Sequence, residues 1–252
     1  CRSWPKWCVH AVEKKMRLRQ RWFRRKQSLP RKAEVAAVAD ARPKIAAIVL
    51  AAGSSRRMGA KNKLHLPIEG VPLLRRSLKI LLASNIDEVV VVLGHDHERT
   101  RALVDDLPLQ LVHNQDHSSG QMTSVHCGLA SLKESYDGVI IALGDQPALS
   151  VADINYLIDA YRNRSCGEVA VPTFAGERGN PIIISENCRA DILAGNRNLG
   201  CRKFIENNPE LVCRVEMPNP GVVIDLDTPQ QYADYCESQL SADSSGMRLQ
   251  VN

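Results

Sequence analysis

Two aspartates stand where the chain leaves an apolar run, Asp145 in ALGDQPAL and Asp227 in VVIDLDTPQQY. A carboxylate at the end of a buried strand is costly unless it is exposed, paired or bound to a cation. Two of them meeting in one crevice would make an oxygen-rich site for Mg2+, which takes one or two carboxylates together with water and substrate phosphates. A second group supplies the opposite charge. Arg56, Arg57, Lys61 and Lys63 put four cations within eight residues, directly after Ala51-Ala52-Gly53-Ser54-Ser55. Small residues there leave the backbone open to a ligand, and the serines add hydroxyl and amide donors where phosphate oxygens would sit. Together these residues point to a polyphosphate. Each half also has an ordinary reading: a strand-to-helix turn with a solvated basic face, and aspartates at 225 and 227 that merely favour a helix dipole. Thr228-Pro229-Gln230-Gln231 is a good helix start, with Thr as N-cap, Pro at the first position and Gln three residues after the cap.

For these groups to meet, the elements between them must end on one edge of a sheet. Ile45 to Leu50 is a continuous apolar run rich in branched side chains, which suits a strand buried on both faces of a parallel sheet. The stretch from Lys44 to Leu74 therefore reads as a buried strand, a phosphate-cradling loop and the start of a helix. Pro72 to Ser84 has leucines and isoleucine at helical spacing, Glu88 to Leu93 is an apolar run ended by Gly94, and a polar helix is expected from about Asp96 to Asp105. LQLVHN is a third run, a helix follows the SSGQMTS loop, and Gly138 to Leu143 is the next buried strand. Strands alternating with helices at this interval predict an α/β fold, a single-domain, Rossmann-like, doubly wound and mostly parallel sheet. Ligands bind beyond the carboxyl ends of such strands, near a switch in strand order. Asn114, Gly120 and Asp145 all fall at or just past strand ends, so they are expected to face the crevice that holds Gly53.

A chain of 252 residues with 44% hydrophobic composition can bury a core, and no apolar run approaches the roughly eighteen residues needed to span a bilayer, so a soluble protein is expected. Charge is uneven. Residues 1–44 hold 14 Lys and Arg against 3 Asp and Glu, a net of +11, which leaves 19 against 25, a net of −6, for residues 45–252. The domain expected from this division is 45–240, preceded by a basic extension and followed by a flexible tail from 241 to 252. The core of the extension, EKKMRLRQRWFRRKQ, with Trp22 and Phe23, would form a basic amphipathic helix suited to an anionic membrane surface or nucleic acid. The expected reading is nevertheless a disordered tail ahead of Pro30 and Pro43, or residues upstream of a natural start such as Met16. The eight cysteines show no C-x-x-C pair and no zinc spacing, which fits reduced thiols of a cytoplasmic protein. Cys201, between Gly200 and Arg202, reads as a packing residue. His95-Asp96-His97 and His113…His117 lack a third ligand of suitable spacing and read as loop residues, not a transition-metal site.

In its order and spelling, LAAGSSRRMG followed by NKLHLP, then LGDQP at Leu143 to Pro147 and DLDTP at Asp225 to Pro229, the chain resembles the MobA-like nucleotidyltransferases, and most closely their molybdenum cofactor cytidylyltransferase branch. The resemblance runs from Ile45 to about Tyr235 and implies the sheet of the nucleotide-diphospho-sugar transferases. It implies that Asp145 and Asp227 hold Mg2+ and that Lys63 and Arg57 contact the triphosphate, the catalytic set being Lys63, Arg57 and Asp145. Leu50, Ala51, Ala52, Gly53, Ser54, Ser55 and Asn114 would lie against the nucleotide, with Gly120 and Ser124 in the loop that closes over it. On the acceptor side it implies Arg178, Gly179, Asn180 and Pro181 in GERGNPIIIS, and Arg202 in AGNRNLGCRKF.

That last segment departs from the family spelling. Gly195-Asn196 stands where Gly-Asp is usual, and Gly200-Cys201-Arg202 where Gly-Ala-Arg is usual. The implied reaction is attack of an acceptor phosphate on the α-phosphorus of an NTP, with pyrophosphate leaving. CTP is preferred over GTP because guanylyl-transferring relatives carry a second glycine where Ala52 stands, and a molybdopterin-type cofactor is the implied acceptor. The competing readings are guanylyl or sugar-phosphate nucleotidyl transfer on the same fold, a non-catalytic NTP-binding chaperone that hands cofactor to a molybdoenzyme, and a nucleic-acid or membrane binder led by the basic arm.

Overall fold

The computed structural model describes residues 42–59, 61–165, 167–195 and 208–246. Residues 1–41 of the basic extension, Cys166, and residues 196–207 with Asn196, Cys201 and Arg202 lie outside the described residues. In chain order the elements are β1 (Ile45–Ala51), β2 (Pro67–Ile68), β3 (Val71–Pro72), α1 (Leu73–Leu82), β4 (Glu88–Leu93), α2 (His97–Arg101), β5 (Gln110–His113) and α3 (Gln121–Ser131). There follow β6 (Gly138–Leu143), α4 (Val151–Arg162), β7 (Val169–Phe174), β8 (Glu177–Arg178), β9 (Ile182–Ser185), α5 (Glu186–Leu193), β10 (Val212–Glu216) and α6 (Pro229–Gly246).

The main sheet runs β10-β7-β9-β6-β1-β4-β5, with β8 added to β7. Its pairs are parallel except around β9, which is antiparallel to both β6 and β7, and β8 against β7. β1 is central because its branched and small residues can be covered from both sides. Ala47 and Val49 join one apolar cluster with Leu74 and Leu78 of α1 and Ile154 and Leu157 of α4. Ala46 and Ile48 join the other, with Val125 and Leu129 of α3 and Ile192 of α5. Burying one such branched side chain stabilises the fold by about 1.5–3 kcal/mol, so each helix is held by its apolar stripe more than by its own propensity.

The chain passes from β1 outward through β4 to β5, then crosses to β6 on the other side of β1. That reversal is the switch in strand order, and it opens a crevice above β1. The register brings the three central strands to a common end, Leu50 opposite Leu143 and Ala51 opposite Leu93.

Two expected elements differ. The basic loop does not lead directly into a helix: Arg56–Met58 and Lys63–His65 form single 3-10 turns, and β2 and β3 make a small hairpin before α1 begins. Met58 and Leu64 are the buried members of those turns, too few apolar side chains to pack a helix, and Ser55 and Gly59 take positive φ of 47° and 68°. The polar helix expected over 96–105 is the short α2, continued only as turns, and it too starts from a left-handed residue, Asp96. A third apolar cluster of Ile68, Leu73 and Leu226 ties the hairpin to α6, where the Tyr232 hydroxyl donates to the Pro67 carbonyl at 2.5 Å. α6 continues to Gly246, past the domain boundary expected at 240. Among the described residues no helix is long and apolar enough to cross a membrane.

Candidate active site

Because β1, β4 and β6 end level, the residues that follow them share one crevice of about 750 Å3. It is lined by Leu50, Ala52, Gly53, Ser54, Ser55, Arg56, Arg57 and Lys63 from the first loop, by Gly120 and Ser124, and by Asp145 and Asp227. Ala51 remains buried within β1 and holds the loop rather than facing the crevice. Asn114 stands behind it: its amide nitrogen donates to Thr123 Oγ1 at 2.8 Å and Ser124 Oγ at 3.0 Å, and its oxygen accepts from the Asp116 N–H at 3.0 Å. This residue fastens the loop that leads into α3.

The basic loop is shaped by side chains that satisfy its backbone. Asn62 Oδ1 accepts from the Leu64 N–H at 3.1 Å, and Ser55 Oγ accepts from the Lys63 N–H at 3.2 Å. Leu64 is buried beside Gly144, where a Cβ would come within 3.1 Å of its Cδ2. So anchored, Lys63 points at both acids: its ammonium donates to Asp145 Oδ2 and to Asp227 Oδ1, the latter at 2.6 Å. Arg57 Nη2 meets the other oxygen of Asp227 at 2.8 Å.

Asp227 stands at a helix start and also faces Lys63. It immediately precedes α6, whose capping box is formed by the Gln231 N–H donating to Thr228 Oγ1 and the Thr228 N–H donating to Gln231 Oε1, at 3.2 and 2.9 Å. Its side chain nevertheless turns to Lys63. The Leu226 N–H donates to the Asp145 carbonyl at 3.2 Å, which joins the two aspartate segments directly.

The charges are mutually adjusted. Burial works against the Lys63 ammonium, but the Asp145 charge and the hydrogen bonds to both carboxylates outweigh it and raise its pKa. Burial likewise pushes the Asp227 carboxyl up, and Lys63 and Arg57 more than reverse this, leaving it below the ordinary range. Asp225 is raised, by burial first and then by repulsion from Asp227 and Asp145.

The donor set fits a divalent cation. Asp145 Oδ1 is buried without a hydrogen-bond partner among the described residues, and a second carboxylate stands across Lys63 from it. No cluster of three or more His, Cys, Asp or Glu side chains able to hold a metal occurs among the described residues, so an ion here would draw its remaining ligands from water and substrate oxygens.

The expected acceptor segment is placed elsewhere. Arg178, Gly179, Asn180 and Pro181 do not line the crevice. Arg178 is exposed on β8, Gly179 packs on Val222 so closely that a Cβ would lie 2.6 Å from its carbonyl oxygen, and Pro181 is buried. Asn180 is tied by its backbone: its N–H donates to the Val222 carbonyl at 2.9 Å, and its carbonyl accepts from Gln146 Nε2 at 3.1 Å. Gln146 thus connects this segment to the residue beside Asp145.

Residues outside the sequence-based set also line the site, among them Leu64, His95, His117, Gln121 and Gly144. Gly94 is the least conspicuous contributor. A Cβ there would lie 2.6 Å from Ala52 Cβ and 2.7 Å from His117 Cβ, so its lack of a side chain lets the β1 and β5 loops approach. The available signal was a glycine directly after a buried strand, at both 94 and 144. His95 and His117 face each other with ring centroids 6.3 Å apart, while His97 stacks on His113 at 4.1 Å.

A mostly parallel α/β sheet with a basic loop and paired aspartates at its switch point is the framework of a nucleotidyltransferase. In fold the chain is similar to CMP-2-keto-3-deoxy-manno-octonic acid synthetase complexed with CTP, at 13% identity and a TM-score of 0.64 over 79% of this chain and 99% of that one. It is similar also to a Mycobacterium tuberculosis protein in complex with manganese, at 24% identity and a TM-score of 0.63 over 77% and 99%. The chain belongs to the MobA-like NTP transferase family, whose domain matches residues 47–212. Relatives include purine catabolism protein PucB of Bacillus subtilis, 35% identical over 75% of this chain and 95% of the relative, and nicotine blue oxidoreductase of Paenarthrobacter nicotinovorans, 29% over the same shares. The molybdenum cofactor cytidylyltransferase of Escherichia coli is 27% identical over 73% and 92%.

Proposed function

We propose that this nucleotidyltransferase moves CMP from CTP to the phosphate of a molybdopterin-type cofactor and releases pyrophosphate, with Mg2+ as its metal. The observation that carries the reaction class is the Lys63 ammonium held between Asp145 and Asp227 in a crevice also lined by Ala52 to Arg57. The choice of CTP and of the acceptor is supported by Ala52 and by the similarity to the Escherichia coli cytidylyltransferase.

A phosphate monoester has a second pKa of about 6 and is already largely ionised near neutral pH, so the acceptor needs no strong base. The protein's task is alignment and charge. The Gly53–Ser55 backbone and hydroxyls cradle phosphate oxygens, and Lys63 and Arg57 neutralise the charge gathering on pyrophosphate as the bond to the α-phosphorus breaks. Asp145 and Asp227 would hold Mg2+, which supplies charge neutralisation at the phosphates when bound. Asn114, through Ser124 and Thr123, keeps the closing loop in register with the nucleotide. On this reading Arg178 and Asn180, which stand outside the crevice, and Arg202 are assigned to the acceptor, while Gly179 and Pro181 are packing residues of that segment and Gln146 links Asn180 to the carboxylates.

The test is pyrophosphate release by the purified protein with Mg2+ and molybdenum cofactor, comparing CTP, GTP, UTP and ATP. CTP should lead. A lead for GTP would overturn the base assignment and keep the mechanism, whereas silence with every nucleotide despite demonstrated NTP binding would favour a cofactor chaperone.

A further inference from the structure

The cation lying between Asp145, just past the end of β6, and Asp227, in the irregular stretch before α6, is the enzyme's own. Lys63 Nζ takes Asp145 Oδ2 and Asp227 Oδ1, and Arg57 takes the remaining oxygen of Asp227. Three of the four carboxylate oxygens are therefore engaged by side-chain cations, and the fourth, Asp145 Oδ1, is buried without a hydrogen-bond partner among the described residues. A divalent ion bound by both aspartates at about 2.0–2.1 Å has Asp145 Oδ1 open to it, but both oxygens of Asp227 are already held by cations, and the ion would stand beside an ammonium in contact with both carboxylates. Like charges at that separation exclude one another.

We infer that Lys63 gates the metal site: the ammonium and the divalent ion compete for Asp145 and Asp227, and the nucleotide's phosphates relieve the competition by drawing Lys63 and Arg57 away. The side chains suit the exchange. Lys63 is mostly buried, so leaving the carboxylates requires another anion within reach, whereas Arg57, at 70% exposed, is free to follow a ligand. A polyphosphate seated against Ser54 and Ser55 is such an anion. Metal and nucleotide then bind as cooperative partners, each weakly alone, and the ion is admitted only with the substrate it acts on. The identity of the phosphate ligand rests on the function proposed above; the competition at the carboxylates rests on geometry alone.

The experiment measures Mn2+ binding by electron paramagnetic resonance for the wild type, Lys63→Met and Lys63→Gln, without nucleotide and then with a non-hydrolysable CTP analogue, after correction for Mn2+ held by the nucleotide itself. Without nucleotide, the variants should bind Mn2+ about tenfold or more tightly than the wild type, and the analogue should raise wild-type affinity by a similar factor while leaving the variants little changed. Mn2+ should also raise the unfolding temperature of Lys63→Met more than that of the wild type, a readout independent of turnover. Adding Asp145→Asn to Lys63→Met should abolish the gain. Equal Mn2+ affinity of wild type and variants without nucleotide would overturn the inference, as would a gain that survives Asp145→Asn. If the lysine variants do not fold, the wild type decides: Mn2+ affinity unchanged by bound analogue refutes the gate. Failure of the wild type to bind any nucleotide would refute the proposed function, while the nucleotide-free Mn2+ comparison still judges the competition.

Discussion

Gly94→Ala adds one methyl group at the point where the ends of β1 and β4 and the loop after β5 come together. The new Cβ would stand 2.6 Å from Ala52 Cβ, 2.7 Å from His117 Cβ and 2.9 Å from the Ala52 carbonyl oxygen. Carbon atoms pack at about 3.5–4.0 Å, so roughly 1 Å must be recovered. None of the three atoms is the end of a flexible side chain, so the backbone must give. The His95 N–H to Ala52 carbonyl hydrogen bond, 3.2 Å, bridges the displaced segments and should stretch or break. Overpacking of this kind costs about 1–3 kcal/mol, and a misplacement of about 1 Å in a substrate-positioning loop costs on the order of a hundredfold. For a domain of this size each kcal/mol lowers the unfolding temperature by about 2–4 °C. The assay pairs thermal unfolding with nucleotide-dependent pyrophosphate release. Gly128→Ala is the comparison, since its Cβ would press on Val92 Cγ2 at 2.9 Å and Ile48 at 3.2 Å inside the core. It should lose stability with a much smaller loss in kcat/KM. Wild-type stability and wild-type kinetics in Gly94→Ala would refute the close-approach argument.

Three further outcomes are expected. Lys63→Ala and Asp145→Ala should each lower turnover by about 10²–10³-fold with the circular dichroism of the fold retained; normal activity in either removes these residues from the site. Gln146→Leu leaves the Asn180 and Val222 carbonyls without the donor they share, at 3.1 and 3.0 Å, and should cost about 1–3 kcal/mol in urea unfolding; a cost near zero would mean that the link between the Asn180 segment and the carboxylates is not structural. Asp227 has a folded pKa below its ordinary value of 3.8, so the native state binds fewer protons there than the unfolded chain. Its contribution is complete above about pH 4 and is lost as pH falls through the lowered value, so Asp227→Asn should show a shallower acid loss of stability than the wild type. Parallel pH profiles would contradict the pairing with Lys63 and Arg57.

Strand content was legible because burial on both faces writes itself into sequence as continuous branched apolar runs. Ile45–Ala51, Glu88–Leu93 and Gly138–Leu143 appear where those runs stand. Thr228 and Gln231 likewise declared their helix start, since a capping box is a contact between residues three apart. The basic loop was less legible. Its cations could be counted, but its path through two 3-10 turns depends on Ser55 accepting from the Lys63 backbone eight residues on, and on Leu64 finding a pocket beside Gly144.

The sequence by itself determined the chemical inventory: a small-residue loop, a run of cations, and two aspartates that each follow an apolar run. It also determined the alternation of strand and helix that makes a crevice at a switch point unavoidable. Only the tertiary structure decided which groups touch. Lys63 lies 82 residues from Asp145 and 164 from Asp227, separations at which no local pattern reports contact; Lys63 and Asp145 meet because β1 and β6 pair with Leu50 opposite Leu143, and Asp227 joins them where the Leu226 N–H donates to the Asp145 carbonyl. The same packing kept Arg178 to Pro181 off the crevice and gave Gly94 its importance, because the space around a missing side chain belongs to its neighbours in three dimensions.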